Sequence, residues 1–130
     1  MAEPRKRILV ADDDPDFQGL LALELGHRGY EVLTAASGGE ALRVARKENP
    51  DLILLDVMMP EVDGYHVAQE LTRLQGPTTP KILIITCRDV NREKGITVMC
   101  GAQGAIQKPV DMPSLLARIE ELLASGPEPS

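Results

Sequence analysis

The chain has 130 residues with a formal net charge of −6, and 43% of its residues are hydrophobic. This length and composition suit one globular domain and exclude an intrinsically disordered chain. The acidic balance argues against nucleic-acid binding by the domain's own surface, because such binding depends on basic side chains that neutralise phosphates.

The first apolar run is Ile8 to Ala11, and three acidic residues follow it. Asp14 and Pro15 are typical of the N-cap and the first residue of a helix. Apolar residues at helical spacing continue from there, and Gly26 and Gly29 supply a stop signal. The pattern therefore predicts a strand that leads directly into an amphipathic helix.

A second strand and helix are predicted next. Glu31 to Ala35 carries β-branched residues in weak alternation, which indicates a strand. Ser37 and Glu40 have the spacing of a capping box, and they begin a helix that runs to about Glu48. Asn49 and Pro50 close this second unit.

The central strand is the short apolar run Leu52 to Leu55, which leads into Asp56. A continuous apolar run between turn signals is typical of a strand that is buried on both faces. A third helix begins near Gly64, and its apolar face is predicted to consist of Val67, Ala68, Leu71 and Leu74. A loop from Gly76 to Pro80 ends it.

The remaining elements repeat this alternation of strand and helix. They are a fourth strand from Lys81 to Thr86, a weak fourth helix between Asn91 and Cys100, a short fifth strand from Gly104 to Lys108, and a fifth helix capped by Asp111. Five strands that each precede a helix predict an α/β fold, a doubly wound five-stranded parallel sheet with helices on both faces. We expect the flavodoxin-like strand order 2-1-3-4-5. The domain should span residues 7–124, between a short extension (1–6) and a flexible tail (125–130).

Two cysteines are too few for a disulfide framework, which predicts a reducing, cytoplasmic setting. The first residues lack the apolar segment of a signal peptide, and no apolar run approaches the roughly 18 residues that span a bilayer. We therefore expect no membrane partner. Cys87 and Cys100 are expected to be buried small residues rather than a redox pair.

In the expected strand order the first and third strands are neighbours. Asp12 and Asp13 then share one edge of the sheet with Asp56, while Thr86 and Lys108 approach from the other side. Three carboxylates in one cleft repel each other, and a divalent cation offsets that repulsion. An all-oxygen ligand set suits Mg²⁺.

This edge also carries the groups that phosphoryl transfer requires. Lys108 offers a positive charge and Thr86 a hydroxyl donor, while an aspartate can itself act as the nucleophile and form an acyl phosphate. The constellation therefore predicts an aspartate that accepts phosphate in a metal-dependent step.

At this point the chain resembles the response-regulator receiver domain of two-component signalling, which has the CheY-like form of this fold. The resemblance runs from about Arg7 to Leu123. It is carried by four features in order, each after the appropriate strand: Asp12-Asp13, the stretch DLILLDVMMPEVDG around Asp56, Thr86, and Lys108-Pro109.

The resemblance implies a role for each of these residues. Asp56 would be the phosphoacceptor, Lys108 would contact the phosphoryl group, Thr86 would move to bind it, and Mg²⁺ would be held by Asp12, Asp13, Asp56 and the backbone carbonyl of Met58. The implied partners are a histidine kinase or phosphotransfer protein and a downstream effector protein, with a possible phosphorylation-dependent dimer. The domain would not be an enzyme beyond its own phosphorylation and slow autodephosphorylation.

Two residues depart from the pattern of the family. Ala105 stands where an aromatic residue usually swings inward as Thr86 moves, so we expect output to travel through the loop from Thr86 to Asn91 and the soft fourth helix. Cys87 is bulkier than the usual residue after the threonine, and we expect it to restrict access to the phosphoryl group.

Three other functions are open on sequence alone. Ala105 keeps a constitutive protein–protein adaptor with a receiver fold in consideration. A phosphohydrolase would usually place a second Asp two residues after the nucleophile, where this chain has Met58. A flavin site is disfavoured, because acidic residues after the first strand would repel the cofactor's phosphate.

Overall fold

A computed structural model describes residues 5–59, 62–73 and 79–124. Predictions that fall on Leu74, on residues 76–78 of the loop after the third helix, on residues 1–4 and on the tail lie outside the described residues. The elements are β1 (Arg7–Ala11), α1 (Pro15–His27), β2 (Glu31–Ala35), α2 (Gly38–Glu48), β3 (Leu52–Leu55), α3 (Gly64–Thr72), β4 (Lys81–Thr86), α4 (Lys94–Met99), β5 (Gly104–Gln107) and α5 (Met112–Ala124).

The five strands form one parallel sheet in the order β2-β1-β3-β4-β5. This confirms the predicted fold class and strand order. Ala11 pairs with Leu55, so β1 and β3 end at the same level and the residues that follow them meet at one edge. No helix among the described residues is long and apolar enough to cross a membrane.

Each face of the sheet has its own core. Alternate residues of the central strands face opposite sides, as the period of a β-strand requires. On one side Ile8, Val10 and their neighbours pack under α1 and α5, with Phe17 at the margin. On the other side Leu9, Ile53 and their neighbours pack under α2 and α3, and this core includes Tyr65 and Cys100.

The helix starts confirm the capping predictions. The Asp14 side chain accepts a hydrogen bond from the Asp16 N–H, and Pro15 begins α1. The Ser37 hydroxyl accepts from the Glu40 N–H at 3.2 Å, and the Glu40 carboxylate accepts from the Ala36 N–H at 2.7 Å. The bonds from the Asp16 and Glu40 N–H groups satisfy donors that a helix leaves free in its first turn, and the bond from the Ala36 N–H ties the preceding residue to α2.

Two elements are shorter than predicted. Helix α4 has six residues, and its N-cap Glu93 makes no capping side-chain hydrogen bond. Gly95, Thr97 and Val98 favour helix poorly, which fits this short length. Strand β5 ends at Gln107 rather than at Lys108, so the lysine lies just beyond the sheet.

Gly64 brings α3 against the end of the central strand. Its N–H donates to the Val57 carbonyl at 3.1 Å, and a Cβ atom on Gly64 would contact the Asp56 carbonyl and lie 2.7 Å from Val57 Cα. Because these neighbours are backbone atoms, they cannot move aside as a flexible side chain could. A residue without a Cβ is therefore needed to hold α3 this close to Asp56.

We predict that Gly64→Ala lowers the free energy of unfolding by about 1–3 kcal/mol, the usual cost of an overpacked interior. Urea denaturation measures the change. Gly19→Ala is the matched control, because Gly19 lies within α1 and a Cβ there meets no atom of the described residues within 4 Å. The control should gain about 0.5–1 kcal/mol, as is usual for Gly→Ala in a helix, and equal stability in the two variants would contradict the account of Gly64.

Candidate functional site

The candidate site lies at the carboxyl edge of the sheet, where β1 and β3 end. Asp12 and Asp56 are the first residues after these strands, and their exposed fractions are 2% and 6%. The Asp12 N–H donates to the Ala35 carbonyl at 3.0 Å, and the Asp56 N–H donates to the Ala11 carbonyl at 2.9 Å. Backbone hydrogen bonds to the neighbouring strands therefore hold both carboxylates at the edge.

Asp13 completes a cluster of three carboxylates. One carboxylate oxygen from each of Asp12, Asp13 and Asp56 lies within 4.8 Å of the others, and Asp13 is the exposed member. This donor set contains only hard oxygen ligands, which is the set that Mg²⁺ and Ca²⁺ prefer. The three predicted acidic ligands therefore fit a divalent cation by their chemistry and their spacing.

Lys108 bridges two of these carboxylates. Its Nζ lies 2.8 Å from Asp12 Oδ2 and 3.2 Å from Asp56 Oδ2, and its backbone N–H donates to the Thr86 carbonyl at 2.7 Å. The Lys108-Pro109 peptide bond is cis. One ammonium against three carboxylates leaves the cluster with an excess of negative charge, so the edge attracts a further cation.

The pKa values of Asp12 and Lys108 are both raised, although burial and pairing oppose each other at each residue. Burial raises the pKa of Asp12, and the hydrogen bonds from Lys108 and from the Asp14 N–H offset only part of that shift. Burial alone would lower the pKa of Lys108, but its contacts with Asp12 and Asp56 outweigh burial and raise the pKa. The ammonium is therefore fully charged at neutral pH, while Asp12 carries a desolvation cost.

Thr86 ends β4 with its side chain fully buried. Its hydroxyl accepts a hydrogen bond from the Arg88 N–H at 3.2 Å. The structure thus places the predicted threonine at the same edge as Asp56, and it shows that the hydroxyl already has a partner in the following loop.

Met58 and Cys87 form the rim of the site. The Met58 N–H donates to Asp56 Oδ1 at 2.9 Å, its side chain is 48% exposed, and its sulfur lies 3.4 Å from Cys87 Sγ. The expectation that both cysteines are buried is correct for Cys100 and wrong for Cys87. Cys87 follows the last residue of β4, so its side chain leaves the sheet for the solvent-exposed rim.

A hydrogen-bonded bridge that the sequence did not predict connects α3 to the loop after β4. The Tyr65 hydroxyl donates to Glu93 Oε2 at 2.5 Å, and Glu93 Oε1 accepts from Arg88 Nη1 at 3.1 Å. Burial, followed by the hydrogen bond to Glu93, raises the pKa of Tyr65 to about 12, so the phenol remains a donor at neutral pH. We call Tyr65, Glu93 and Arg88 the Glu93 bridge.

Two residues of α1 also support the site without having been predicted. The Gln18 side-chain amide donates to the carbonyls of Asp12 and Ala35 at 2.9 and 2.8 Å, and so joins the ends of β1 and β2. The Phe17 ring lies under the Lys108 ammonium, 4.5 Å from Nζ to the ring centroid. In the sequence Phe17 reads only as an apolar helix position, and nothing local marks Gln18.

Comparison with known proteins places this geometry in context. The sequence profile of the response regulator receiver domain matches residues 8–120. The chain is 41% identical over 127 residues to the probable transcriptional regulator ycf27 of Cyanophora paradoxa, a match that covers 97% of this chain and 52% of the relative. It therefore spans about half the length of that relative.

Two further similarities cover nearly the whole of the matched protein. Protein PilH of Pseudomonas aeruginosa is 35% identical over 118 residues, which is 91% of this chain and 98% of PilH. The crystal structure of response regulator protein TrrA from Thermotoga maritima, in complex with Mg²⁺–BeF, superposes with a TM-score of 0.80 at 34% identity. That match covers 90% of this chain and 98% of TrrA.

We predict that Asp12→Asn changes the pH dependence of stability in the metal-free protein. The raised pKa means that folded Asp12 binds its proton more tightly than unfolded Asp12 does, so the wild type loses stability as pH rises above the ordinary value near 3.8. Asn cannot titrate, so the free energy of unfolding of the variant should rise relative to that of the wild type between pH 3 and pH 7. Urea denaturation with chelator present at each pH measures the difference.

The control for this experiment is Asp13→Asn, which removes one charge from an exposed member of the same cluster. Asp13→Asn should reproduce only that part of the change in stability with pH which comes from weaker repulsion among the three carboxylates. A difference between Asp12→Asn and the wild type that stays constant with pH would contradict the burial cost assigned to Asp12.

Proposed function

Because the chain belongs to the response regulator receiver domain family of two-component signalling, we propose that it is a phosphorylation-switched signalling domain in which Asp56 accepts the phosphoryl group. The observation that carries the proposal is the position of Asp56 between two other carboxylates and the Lys108 ammonium, at the carboxyl edge of the sheet. Chemistry in open α/β sheets is concentrated at this edge.

The proposed transfer is an in-line displacement at phosphorus. A carboxylate oxygen of Asp56 forms the new O–P bond as the N–P bond of a partner's phosphohistidine breaks, and the histidine nitrogen keeps the bonding electron pair. Lys108 would hold the phosphoryl oxygens by charge, and the Thr86 hydroxyl would donate to them after leaving the Arg88 N–H. The domain would then be a substrate and a slow phosphatase of itself rather than a turnover enzyme.

Mg²⁺ is the proposed cofactor. Asp12, Asp13, Asp56 and the backbone carbonyl of Met58 would hold it, and when bound it supplies positive charge that offsets the charge of the phosphoryl oxygens. The support is the oxygen-only donor set, together with the Mg²⁺–BeF complex of TrrA.

The partners follow from this chemistry. We propose a histidine kinase or phosphotransfer protein as the donor, and an effector protein as the receiver of the signal, in the cytoplasm. A phosphorylation-dependent dimer and a domain boundary near residue 124 are part of the same proposal. Relatives such as ycf27 are about twice as long as the matched segment. The proposal therefore concerns the receiver domain, and the effector that it controls is named only as a class.

The Glu93 bridge offers a route for the signal that does not need an aromatic residue at Ala105. The Arg88 N–H bonds the Thr86 hydroxyl, while the Arg88 guanidinium bonds Glu93, which also bonds Tyr65 on α3. When the hydroxyl turns to a phosphoryl group, the Arg88 N–H loses its partner and the loop must rearrange. We propose that the Glu93 bridge holds the loop and α4 in the resting arrangement.

We predict that acetyl phosphate labels Asp56 only when Mg²⁺ is present. Mass spectrometry of the intact protein and of its peptides should find one phosphoryl group, located on Asp56. Asp56→Asn should remove the label because the amide is not a nucleophile, and chelator should reduce labelling because it strips the cation.

A phosphoryl group on another residue, or none with donor and Mg²⁺ in excess, would overturn the proposed function. Labelling of Asp56 without any change in amide spectra would instead favour the constitutive adaptor. Hydrolysis of a generic phosphate ester, lost in Asp56→Asn, would favour the phosphohydrolase.

We predict that Tyr65→Phe loosens the loop after β4 in the unphosphorylated protein. The variant loses one hydrogen bond to a charged group, which is worth about 1.5–3 kcal/mol. Amide hydrogen exchange of residues 87–100 should therefore rise by roughly tenfold or more, while α5 is unaffected. Hydrogen exchange measured by mass spectrometry tests this.

The chain's other tyrosine provides the matched control. Tyr30→Phe makes the same change beside α1, on the opposite face of the sheet, and should leave exchange in the 87–100 segment at the wild-type rate. If both variants exchange at that rate, the Glu93 bridge does not hold the loop.

A further inference from the structure

We propose that Phe17 is a positioning residue for Lys108, and that its ring keeps the ammonium at the phosphoryl site whatever the charge state of Asp56. The effect on phosphoryl binding rests on the proposed function above. The contact between the Phe17 ring and the Lys108 ammonium is present in the resting protein, so it can be measured even if the proposed function fails.

Within the part of the chain that the structure describes, three groups contact the Lys108 ammonium. Two are the carboxylates of Asp12 and Asp56, at 2.8 and 3.2 Å, and the third is the ring of Phe17, with its centroid 4.5 Å from Nζ. A cation within about 6 Å of an aromatic centroid is attracted by the negative face of the ring. Only 22% of the lysine side chain is exposed, so water screens these contacts incompletely.

The start of α1 delivers the ring to this position. Asp14 caps the helix and Pro15 begins it, so Phe17 lies in its first turn, directly after the acidic loop of the site. The side chain is half-buried and packs against the core that Val110 and Met112 also border, beyond the cis Lys108-Pro109 bond. The same segment thus supplies the acidic residues and the surface against which the lysine rests.

The ring differs from the carboxylates because its contribution does not change during the proposed reaction. Phosphorylation alters the charge on Asp56, and a bound cation competes for Asp12. Both events change the ion pairs that now hold the ammonium. A neutral ring takes no part in either event, so it retains the long, rotatable lysine side chain where the phosphoryl oxygens would be.

Packing alone is the competing explanation, since Phe17 also touches the core. The two roles predict different responses to substitution. An aliphatic residue can replace a packing contact but cannot attract a cation, whereas tyrosine keeps the ring face. The variants Phe17→Leu and Phe17→Tyr therefore separate a positioning role from a packing role.

The first measurement uses the metal-free protein. Methylene protons next to Nζ that lie over a ring face resonate upfield, and NMR should find this shift for Lys108 in the wild type. We expect Phe17→Tyr to retain the upfield shift and Phe17→Leu to abolish it, while amide spectra show that both variants are folded. Wild-type shifts at random-coil values would overturn the proposal.

The second measurement is the binding of beryllofluoride, a phosphoryl mimic, in the presence of Mg²⁺. Loss of the cation–π contact in Phe17→Leu should weaken beryllofluoride binding by about two- to fivefold. Phe17→Tyr, which keeps the ring, should bind as the wild type does. In a Lys108→Met background the change from Phe to Leu should have no further effect, because the cation is gone. An equal effect in both backgrounds would show packing and overturn the positioning role.

The two measurements also separate this inference from the proposed function. If wild-type protein neither binds beryllofluoride nor labels Asp56, the proposed function fails, and the positioning role fails with it. The NMR shift then still reports whether the ring and the ammonium are in contact. If Asp56 is labelled but Phe17→Leu and Phe17→Tyr bind the mimic equally, only the inference about Phe17 fails.

Discussion

Repulsion among three acidic side chains is the main constraint on the arrangement of residues at the carboxyl edge of the sheet. The parallel sheet brings Asp12 and Asp56 to the same level, and the following residue adds Asp13 within 4.8 Å. The Lys108 ammonium offsets part of that repulsion by bridging the two buried carboxylates. What remains is a cluster with an excess of negative charge whose member Asp13 is exposed, and its oxygen-only donor set suits a divalent cation.

The apolar strands are what make such an arrangement stable. Strand β3 is buried along its whole length, and a core on each face fixes its height in the sheet. The close approach of Gly64 to the backbone of Asp56 and Val57 then determines how α3 departs. The apolar cores and the close approach of α3 therefore hold the charged groups at the edge in position.

Much of this could be predicted from sequence, for identifiable reasons. The continuous apolar run before Asp56 and the alternation of strands with helices dictate a parallel sheet, and the strand order then brings Asp12, Thr86 and Lys108 to one edge. The prediction that Cys87 is buried was wrong, because Cys87 is the first residue after β4 and its side chain is exposed to solvent. The Tyr65–Glu93 hydrogen bond joins residues 28 positions apart, and it depends on how α3 lies against α4. The ring under Lys108 likewise depends on side-chain conformation, which no spacing rule encodes.

The separation of the two cores has a consequence for how such a domain can diversify. The sheet is a wall between them, with Phe17 on one side and Tyr65 on the other. The backbone hydrogen bond from Lys108 to Thr86 lies at the carboxyl edge of that sheet. Under the proposed function, substitutions beneath α1 would change how Lys108 contacts an anion, while those beneath α3 would change how the loop after β4 moves.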